Sequence, residues 1–379
     1  MKKHYVLLSA VIFTFAAQPS FALDNIIRPF YSVRSSGMGG VRLTTGLYDD
    51  NFFGNPARMA ANPEFRIQVV LPVLPAVGNM EVNSGALSNI STVASGSGDT
   101  ISKLGDTAGT NNHIRTDFDP FSIYFATDKD SKFSFAFDLA RIDIQGDIDL
   151  RQSYEINPQF YVDETTSFAV ARTFLTNNEL AIGLNAHFAA RGTTKSGFSL
   201  SNVVQGSSLS FNDLVQYGIK PIDFDLGGMY ALPFTFIDGM VLNVGASVDD
   251  LIAYDFSALK SGNTPPPARN RSMGVGINGE YKAPIKDFFT NTVVAVEFSD
   301  IGNNPDGNLF RTLHIGGETH FVNNTFALRL GINQGYLTAG LGIDLNIVNF
   351  DLATYGEEMG LTTGDLEDRR YAFRMTIQI

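Results

Sequence analysis

The chain has 379 residues, 44% of them apolar and only 17% charged, with a formal net charge of −12. It is long enough for a sizeable core, its 27 basic against 39 acidic residues leave no basic patch for nucleic acid, and no partner of that kind is expected. The absence of cysteine fits an exported protein that does without disulfides.

Lys2 and Lys3, the apolar stretch Tyr5 to Ala17 and the small-x-small site Ser20-Phe21-Ala22 read as an export signal over residues 1–22. After it, no apolar run approaches the ~20 residues of a membrane helix. Residues 23–63 form a separate piece, centred on Ser32 to Ala60, which has neither helical nor strand periodicity. Gly37, Gly39, Gly40, Gly46 and Gly54 make it a compact, turning segment. Its backbone groups need polar partners, which a polar barrel interior supplies and a lipid-facing position does not.

From residue 64 to the end the pattern is alternation. In Tyr371 to Ile379 every odd position is large and apolar while the even ones are small or polar. Phe326 to Asn333 and Leu337 to Asn346 repeat the pattern, joined at Gln334-Gly335. Phe133, Phe135, Phe137 and Leu139 share one face, as do Leu180, Ile182, Leu184 and Phe188, and Met240, Leu242, Val244 and Val248. Their opposite faces carry Ser134 and Asp138, then Gly183, Asn185 and His187, then Asn243, Gly245 and Ser247. Outward aliphatics with inward polar groups are the transmembrane arrangement. The 36 glycines, 31 phenylalanines and 13 tyrosines suit such strands, although the lack of tryptophan leaves any interfacial girdle to Phe and Tyr.

Short links near Thr127–Ser131, Leu175–Asn178, Pro233–Asp238, Val322–Asn324 and Asn346–Ile347 alternate with generally longer ones. The long ones are read at Pro72–Pro120, Arg141–Asp149, Gly192–Lys220, Leu251–Arg269, Ile301–Asn308 and Glu357–Arg369. This asymmetry fits short periplasmic turns and long external loops, with both ends of the mature chain in the periplasm. Residues 151–174 read as one long strand or two short ones. Arg172 shares the phase of Phe168, Val170 and Phe174, which puts it near an interface or on a bulge that turns it inward.

The run Gly37-Met38-Gly39-Gly40, followed by Asn55-Pro56-Ala57 with Arg58 and then strands to the chain end, resembles the outer-membrane barrels grouped around the fatty-acid transporter FadL. PorV-like and TraF-like barrels belong to the same group. The resemblance implies an all-β fold: a transmembrane antiparallel β-barrel of about 14 strands over residues 64–379, with residues 23–63 as an N-terminal hatch inside the lumen. It also implies residence in the outer membrane of a Gram-negative bacterium.

The phase assigns Arg66, Asp138, Asp223, Asp225, Glu280, Glu297, His314, Glu318, Arg329, Asp344, Asp351 and Arg374 to the lumen. These charges form either a polar pathway with clamps on the hatch, or a salt-bridged packing interior. Phe198, Leu200, Val203, Val204, Phe211 and Leu214 give one external loop an apolar surface, and Leu71, Val73, Leu74 and Met80 another. These loops are either a collecting site for a hydrophobic ligand or a lid packed on itself.

Neither His-Glu-x-x-His nor Gly-x-Ser-x-Gly occurs, so no enzyme, catalytic residue, metal or cofactor is expected. His314 and His320 lie roughly 20 Å apart along a strand, too far to share one metal. The partners expected are outer-membrane lipid, a hydrophobic small-molecule ligand, and a periplasmic or surface protein. Two functions fit: passive transport of hydrophobic, long-chain fatty acid-like molecules, and a protein-binding platform for secretion, conjugation or surface assembly.

Overall fold

A computed structural model describes residues 32–48, 50–60, 66–70, 79–87, 111–126, 133–150, 155–175, 179–194, 198–199, 215–259, 264–281, 289–304, 308–360 and 363–378. The export-signal reading lies outside these residues, as do the loop residues Leu71, Val73, Leu74, Leu200, Val203, Val204, Phe211 and Leu214.

Three short helical pieces come first: α1 (Val33–Gly37), α2 (Asp50–Phe53) and a 3-10 turn, Pro56–Ala60. The first strands are β1 (Arg66–Val70), β2 (Asn79–Asn83), β3 (Asn111–Ala126), β4 (Phe133–Leu150), β5 (Glu155–Phe174), β6 (Leu180–Thr194), β7 (Phe198–Ser199) and β8 (Val215–Ala231). Then come β9 (Met240–Asp249), β10 (Ser257–Ala258), β11 (Ser272–Tyr281), β12 (Phe289–Ile301), β13 (Leu313–Phe321), β14 (Phe326–Asn333), β15 (Tyr336–Asp344), β16 (Val348–Glu358) and β17 (Glu367–Gln378).

All pair antiparallel in one sheet that closes on itself, because β17 pairs with both β1 and β2, and both of these pair with β3. β1 and β2 therefore make one stave, left at Val70 opposite Asp119 and resumed at Asn79 opposite Asp117. With the two-residue β7 and β10 as edge extensions, the barrel has fourteen staves. Closure leaves no open edge, which a sheet surrounded by hydrocarbon requires. Among the described residues no helix is long and apolar enough to cross a membrane.

The hairpins follow from residues that tolerate a left-handed backbone. Gln334 and Gly335 both have positive φ, 53° and 93°, the requirement of a two-residue turn whose twist matches the strands. Asn323 and Asn324 turn the chain with φ of 54° and 65°, and the β-branched Val322 before them is held at 53°.

Alternation sorts the side chains. Phe168, Ile182, Leu328, Leu330 and Leu341 are exposed on the outside, while Asp138, Asn185, His187, Glu297 and Arg329 are buried within. Hydrocarbon outside and charge inside is the reverse of a water-soluble barrel.

Several loop assignments are corrected. The link read at Pro72–Pro120 contains β2 and most of β3, so Met80 is a strand residue paired with Thr116 and Phe373. The link read at Arg141–Asp149 is the continuation of β4. β6 runs on to Thr194 and β8 starts at Val215, which shortens the Gly192–Lys220 loop. Residues 155–174 are one stave.

Candidate functional site

Ser32 to Ala60 touches the inward side of the wall on two opposite arcs. α1 meets β14 to β17, and the 3-10 turn meets β4, β5, β6 and β8. Ser32 starts α1 by accepting at its Oγ from Ser35 N, 3.2 Å. Beyond it the glycines dock. A Cβ on Gly316 would stand 1.7 Å from Met38 O, and one on Gly331 would stand 2.5 Å from Gly39 N. Gly37 and Gly340 oppose each other the same way, a Cβ on Gly37 falling 2.9 Å from Gly340 Cα. The Gly37–Gly40 run thus lies flat on a patch made by β13, β14 and β15, where any side chain would hold it off. Gly39 and Gly40 add positive φ, 73° and 86°. Gly39 N donates to Thr338 Oγ1 (2.9 Å), Thr338 Oγ1 donates to Gly37 O (3.1 Å), and His314 Nδ1 donates to Gly39 O (2.9 Å).

Asn55-Pro56-Ala57 docks on a second patch. A Cβ on Gly183 would fall 2.2 Å from Pro56 C, one on Gly227 2.1 Å from Asn55 Oδ1, and one on Gly245 3.2 Å from Asn55 Nδ2. Asn55 Nδ2 donates to Leu43 O (2.8 Å) and Gly228 O (3.2 Å), and Ala57 N donates to Asn55 Oδ1 (3.1 Å). The Asn side chain therefore ties two parts of the segment to each other and to β8.

Between the patches stands Glu297. Its carboxylate accepts from Arg42 N (2.7 Å), Leu43 N (3.0 Å), Thr44 N (2.9 Å) and Thr44 Oγ1 (2.8 Å). Three successive amides around one fully buried carboxylate form an anion nest in reverse, the wall supplying the anion. Asn278 Nδ2 donates to Thr44 O, and Asn185 Nδ2 to Phe52 O. Apolar contact completes the seat: Phe52, Phe53 and Met59 pack on Tyr124, Ala136, Ala169 and Ala171.

Ion pairs surround this seat. On the side nearer the C-terminus, Arg34 pairs with Glu318 (2.7 Å), which also holds Arg329 and His320, and Arg329 reaches Asp351. Arg374 is buried there and donates to Thr376 Oγ1, and Asp344 accepts from Asn346 N in the β15–β16 turn. Arg58 pairs with Glu280 at 3.0 Å. Arg66 is paired through its backbone with Tyr124, its side chain lying outside the described residues.

On the opposite side, Arg141 donates to Asp138, Asp117 and Asp119, and its guanidinium stands 5.5 Å from the Phe53 ring centre. Asp163 holds both Arg191 and Arg269, the second from the loop after β10. Lys220 bridges Asp223 and Asp250. Asp225 accepts from Asp250 N and Asn185, and Asp223 from Ile252 N and Ala253 N. Asp250 lies in the turn after β9. Burial raises its pKa, but the hydrogen bond from His187 and the charges of Arg269 and Lys220 outweigh that and hold it below the carboxylate range. Furthest along, His113 bridges Asp147 and Glu81 at 2.7 Å each, with Arg370 beside Glu81 and Asp368.

The structure thus brings together Glu81, His113, Arg115, Asp117, Asp143, Asp147 and Arg269, charges that the sequence pattern places in loops. Of the apolar loop residues, Phe198 falls in β7. Among the described residues no three His, Asp or Glu side chains are set to hold a metal ion. After β12, Asn303 N donates to the Asp300 backbone carbonyl in a turn, and Phe310 N donates to Asn308 Oδ1 in an Asx-type contact.

The wall beside the second patch is thin. Gly227 and Gly245 face inward, whereas a Cβ on Gly228 would meet nothing within 4 Å. Outside it lies an apolar hollow of about 590 Å³ lined by Leu180, Tyr230, Val244, Val275, Ile277 and Phe298, among others.

Inward charge and outward hydrocarbon on a closed antiparallel sheet define a transmembrane β-barrel of the outer-membrane kind. No family model and no curated protein matches the chain. Among solved structures it is similar to the CymD monoaromatic hydrocarbon channel, at 10% identity over 91% of this chain and 96% of that one, with a TM-score of 0.50. The Pseudomonas putida toluene transporter TodX aligns at 11% identity over 92% of this chain and 97% of its own, with a TM-score of 0.48. At such identity the likeness is one of fold, and the fold is that of the FadL-like barrels.

Proposed function

We propose that the chain is a passive outer-membrane channel for hydrophobic small molecules in a Gram-negative bacterium, with residues 32–60 as the plug of its bore. The observation that carries this is the second glycine patch: the Asn55-Pro56-Ala57 bend is separated from an apolar hollow on the membrane side by wall glycines without side chains. A shift of that bend breaks the Asn55 hydrogen bonds, worth about 1 kcal/mol each, and parts the small Ala57 side chain from Ala181 and Met229. An apolar molecule that reaches the hollow gains about 25 cal/mol for each Å² removed from water. The hydrocarbon-channel names of CymD and TodX support the substrate class. A long-chain fatty acid belongs to the same class.

A platform for a protein partner is the second reading, favoured by the turn between β8 and β9. There Phe234, Phe236 and Ile237 are 53%, 82% and 55% exposed. The purified protein, analysed together for bound lipid and bound protein, separates the two readings. Co-purifying apolar ligand supports the channel, and a stoichiometric protein without ligand supports the platform.

The plug is tested by deleting residues 26–60. Every wall pairing is retained, so the variant is expected to fold as a heat-modifiable barrel and to conduct ions in a planar bilayer where the full chain does not. Equal, low conductance for both proteins contradicts a plug.

A further inference from the structure

Arg172 is a cation on the outer face of the barrel. It lies on β5 two residues before the strand ends at Phe174, directly paired with Phe133 and Ile182, both of which are exposed on the outside. Along a strand two residues cover about 7 Å, so the guanidinium sits close to the end of the spanning segment that carries the short turns and the C-terminus. A lipid-facing Arg costs about 2–4 kcal/mol at the midplane and about 0–1 kcal/mol near an interface, which sets where this one is tolerated.

Its surroundings form a half-cage. The guanidinium carbon stands 4.7 Å from the Phe133 ring centre and 5.1 Å from that of Phe174. Phe133 stacks in turn on Phe135 at 6.3 Å, and Phe135 on Phe125 at 5.4 Å, so the cage is the end of an aromatic row. Ring faces hold a cation from its flat sides and leave its N–H edge unserved. Among the described residues no carboxylate stands within ion-pair distance of Arg172, in contrast to the inward Arg34, Arg141, Arg191 and Arg329, which have them.

We infer that Arg172, held by Phe133 and Phe174, binds the phosphate of a glycerophospholipid in the periplasmic leaflet. At that depth the anion in reach of an outward cation is a headgroup phosphate, and a guanidinium fork matches two of its oxygens. The acyl chains of the same lipid then lie along Phe135, Phe125 and Val170, continuous with the lipid-facing band. The row supplies the interfacial aromatics that a chain without tryptophan cannot take from the indole ring.

The test is native mass spectrometry of the full chain titrated with phosphatidylglycerol. One lipid should bind the wild-type barrel about tenfold more tightly than it binds R172Q, the factor expected for one charge-assisted hydrogen-bonded contact. R172K should fall between them, because it keeps the charge and loses the fork. Diacylglycerol with the same acyl chains should not distinguish the proteins, and inorganic phosphate should not compete. Equal titration of phosphatidylglycerol by wild type, R172Q and R172K overturns the assignment. So does an equal loss toward diacylglycerol, which would mean that only the apolar row reads the lipid, or competition by inorganic phosphate, which would mean that Arg172 is a general anion site. Heat-modifiability confirms that each variant is folded, and R172K carries the comparison if R172Q is not.

Discussion

A chain without residues 371–379 should yield no closed barrel in the membrane. The deleted piece holds seven of the eleven register positions that pair β17 with β16, from Val348–Ile377 to Thr354–Tyr371, and on its other side both pairings with β1 and four of the five with β2. Its loss opens two sheet edges to hydrocarbon. Each unpaired N–H or C=O there costs several kcal/mol, so a handful exceeds the whole net stability of about 5–15 kcal/mol of a folded domain. The outward row Tyr371, Phe373, Met375 and Ile377 is lost with it, removing part of the lipid-facing band. Outer-membrane fractions should show no heat-modifiable band for the truncated chain. A normal band at wild-type yield contradicts the closure described here.

The second large effect is expected at Glu297. Alanine there leaves the N–H groups of Arg42, Leu43 and Thr44 and the Thr44 hydroxyl without their acceptor. Buried orphans of this kind cost about 1–3 kcal/mol apiece. Water admitted to the vacated space recovers part of that, leaving a loss of about 3 kcal/mol in the hold on the segment. Such a loss raises the released population about a hundredfold. Strand pairing is untouched, so Glu297→Ala should keep heat-modifiability while showing frequent channel openings in a planar bilayer and faster tryptic cleavage after Arg42 and Arg58. Glu297→Gln keeps one acceptor oxygen and should lie between. A variant as silent and as protease-resistant as wild type removes Glu297 from the mechanism.

The strands were legible where one side chain in two is aliphatic and its neighbours are small, as in β14, β15 and β17, because a two-sided wall enforces that period. β3 and β4 are hidden from the sequence pattern over part of their length by their inward charges. In His113-Ile114-Arg115-Thr116-Asp117 and Arg141-Ile142-Asp143-Ile144 the inward positions are charged, and the charge density resembles a loop when counted rather than phased. The alternate isoleucines were the available signal. Opposite signs meeting diagonally across the pair, such as Arg115 with Asp143, compensate that charge inside.

The docking of the N-terminal segment was only half legible. Gly37–Gly40 and Asn55–Ala57 could be singled out by composition, but their seats are wall glycines that no local pattern marks. Gly316, Gly331 and Gly340 lie on three strands, and Gly183, Gly227 and Gly245 on three others. Each seat exists only once register aligns them, as in Gly316 with Gly331 and Gly183 with Gly227. Glu297 could be placed in the lumen by phase, yet its three amide partners sit 253 to 255 positions away in the chain.

If movement of the Asn55–Ala57 bend away from the wall admits a hydrophobic molecule, fixing the bend to the wall stops uptake, and the chain's lack of cysteine makes a direct test clean. Ala57 packs with Met229 of β8, so Ala57→Cys with Met229→Cys places a thiol on each side of the joint. Intact cells expressing this variant are given a radiolabelled long-chain fatty acid, and separately toluene, with the disulfide formed and then reduced. Uptake is expected to stay at the level of barrel-free cells while the bond is closed and to recover to the wild-type rate on reduction. Equal uptake in both redox states, with the cross-link verified, would contradict it.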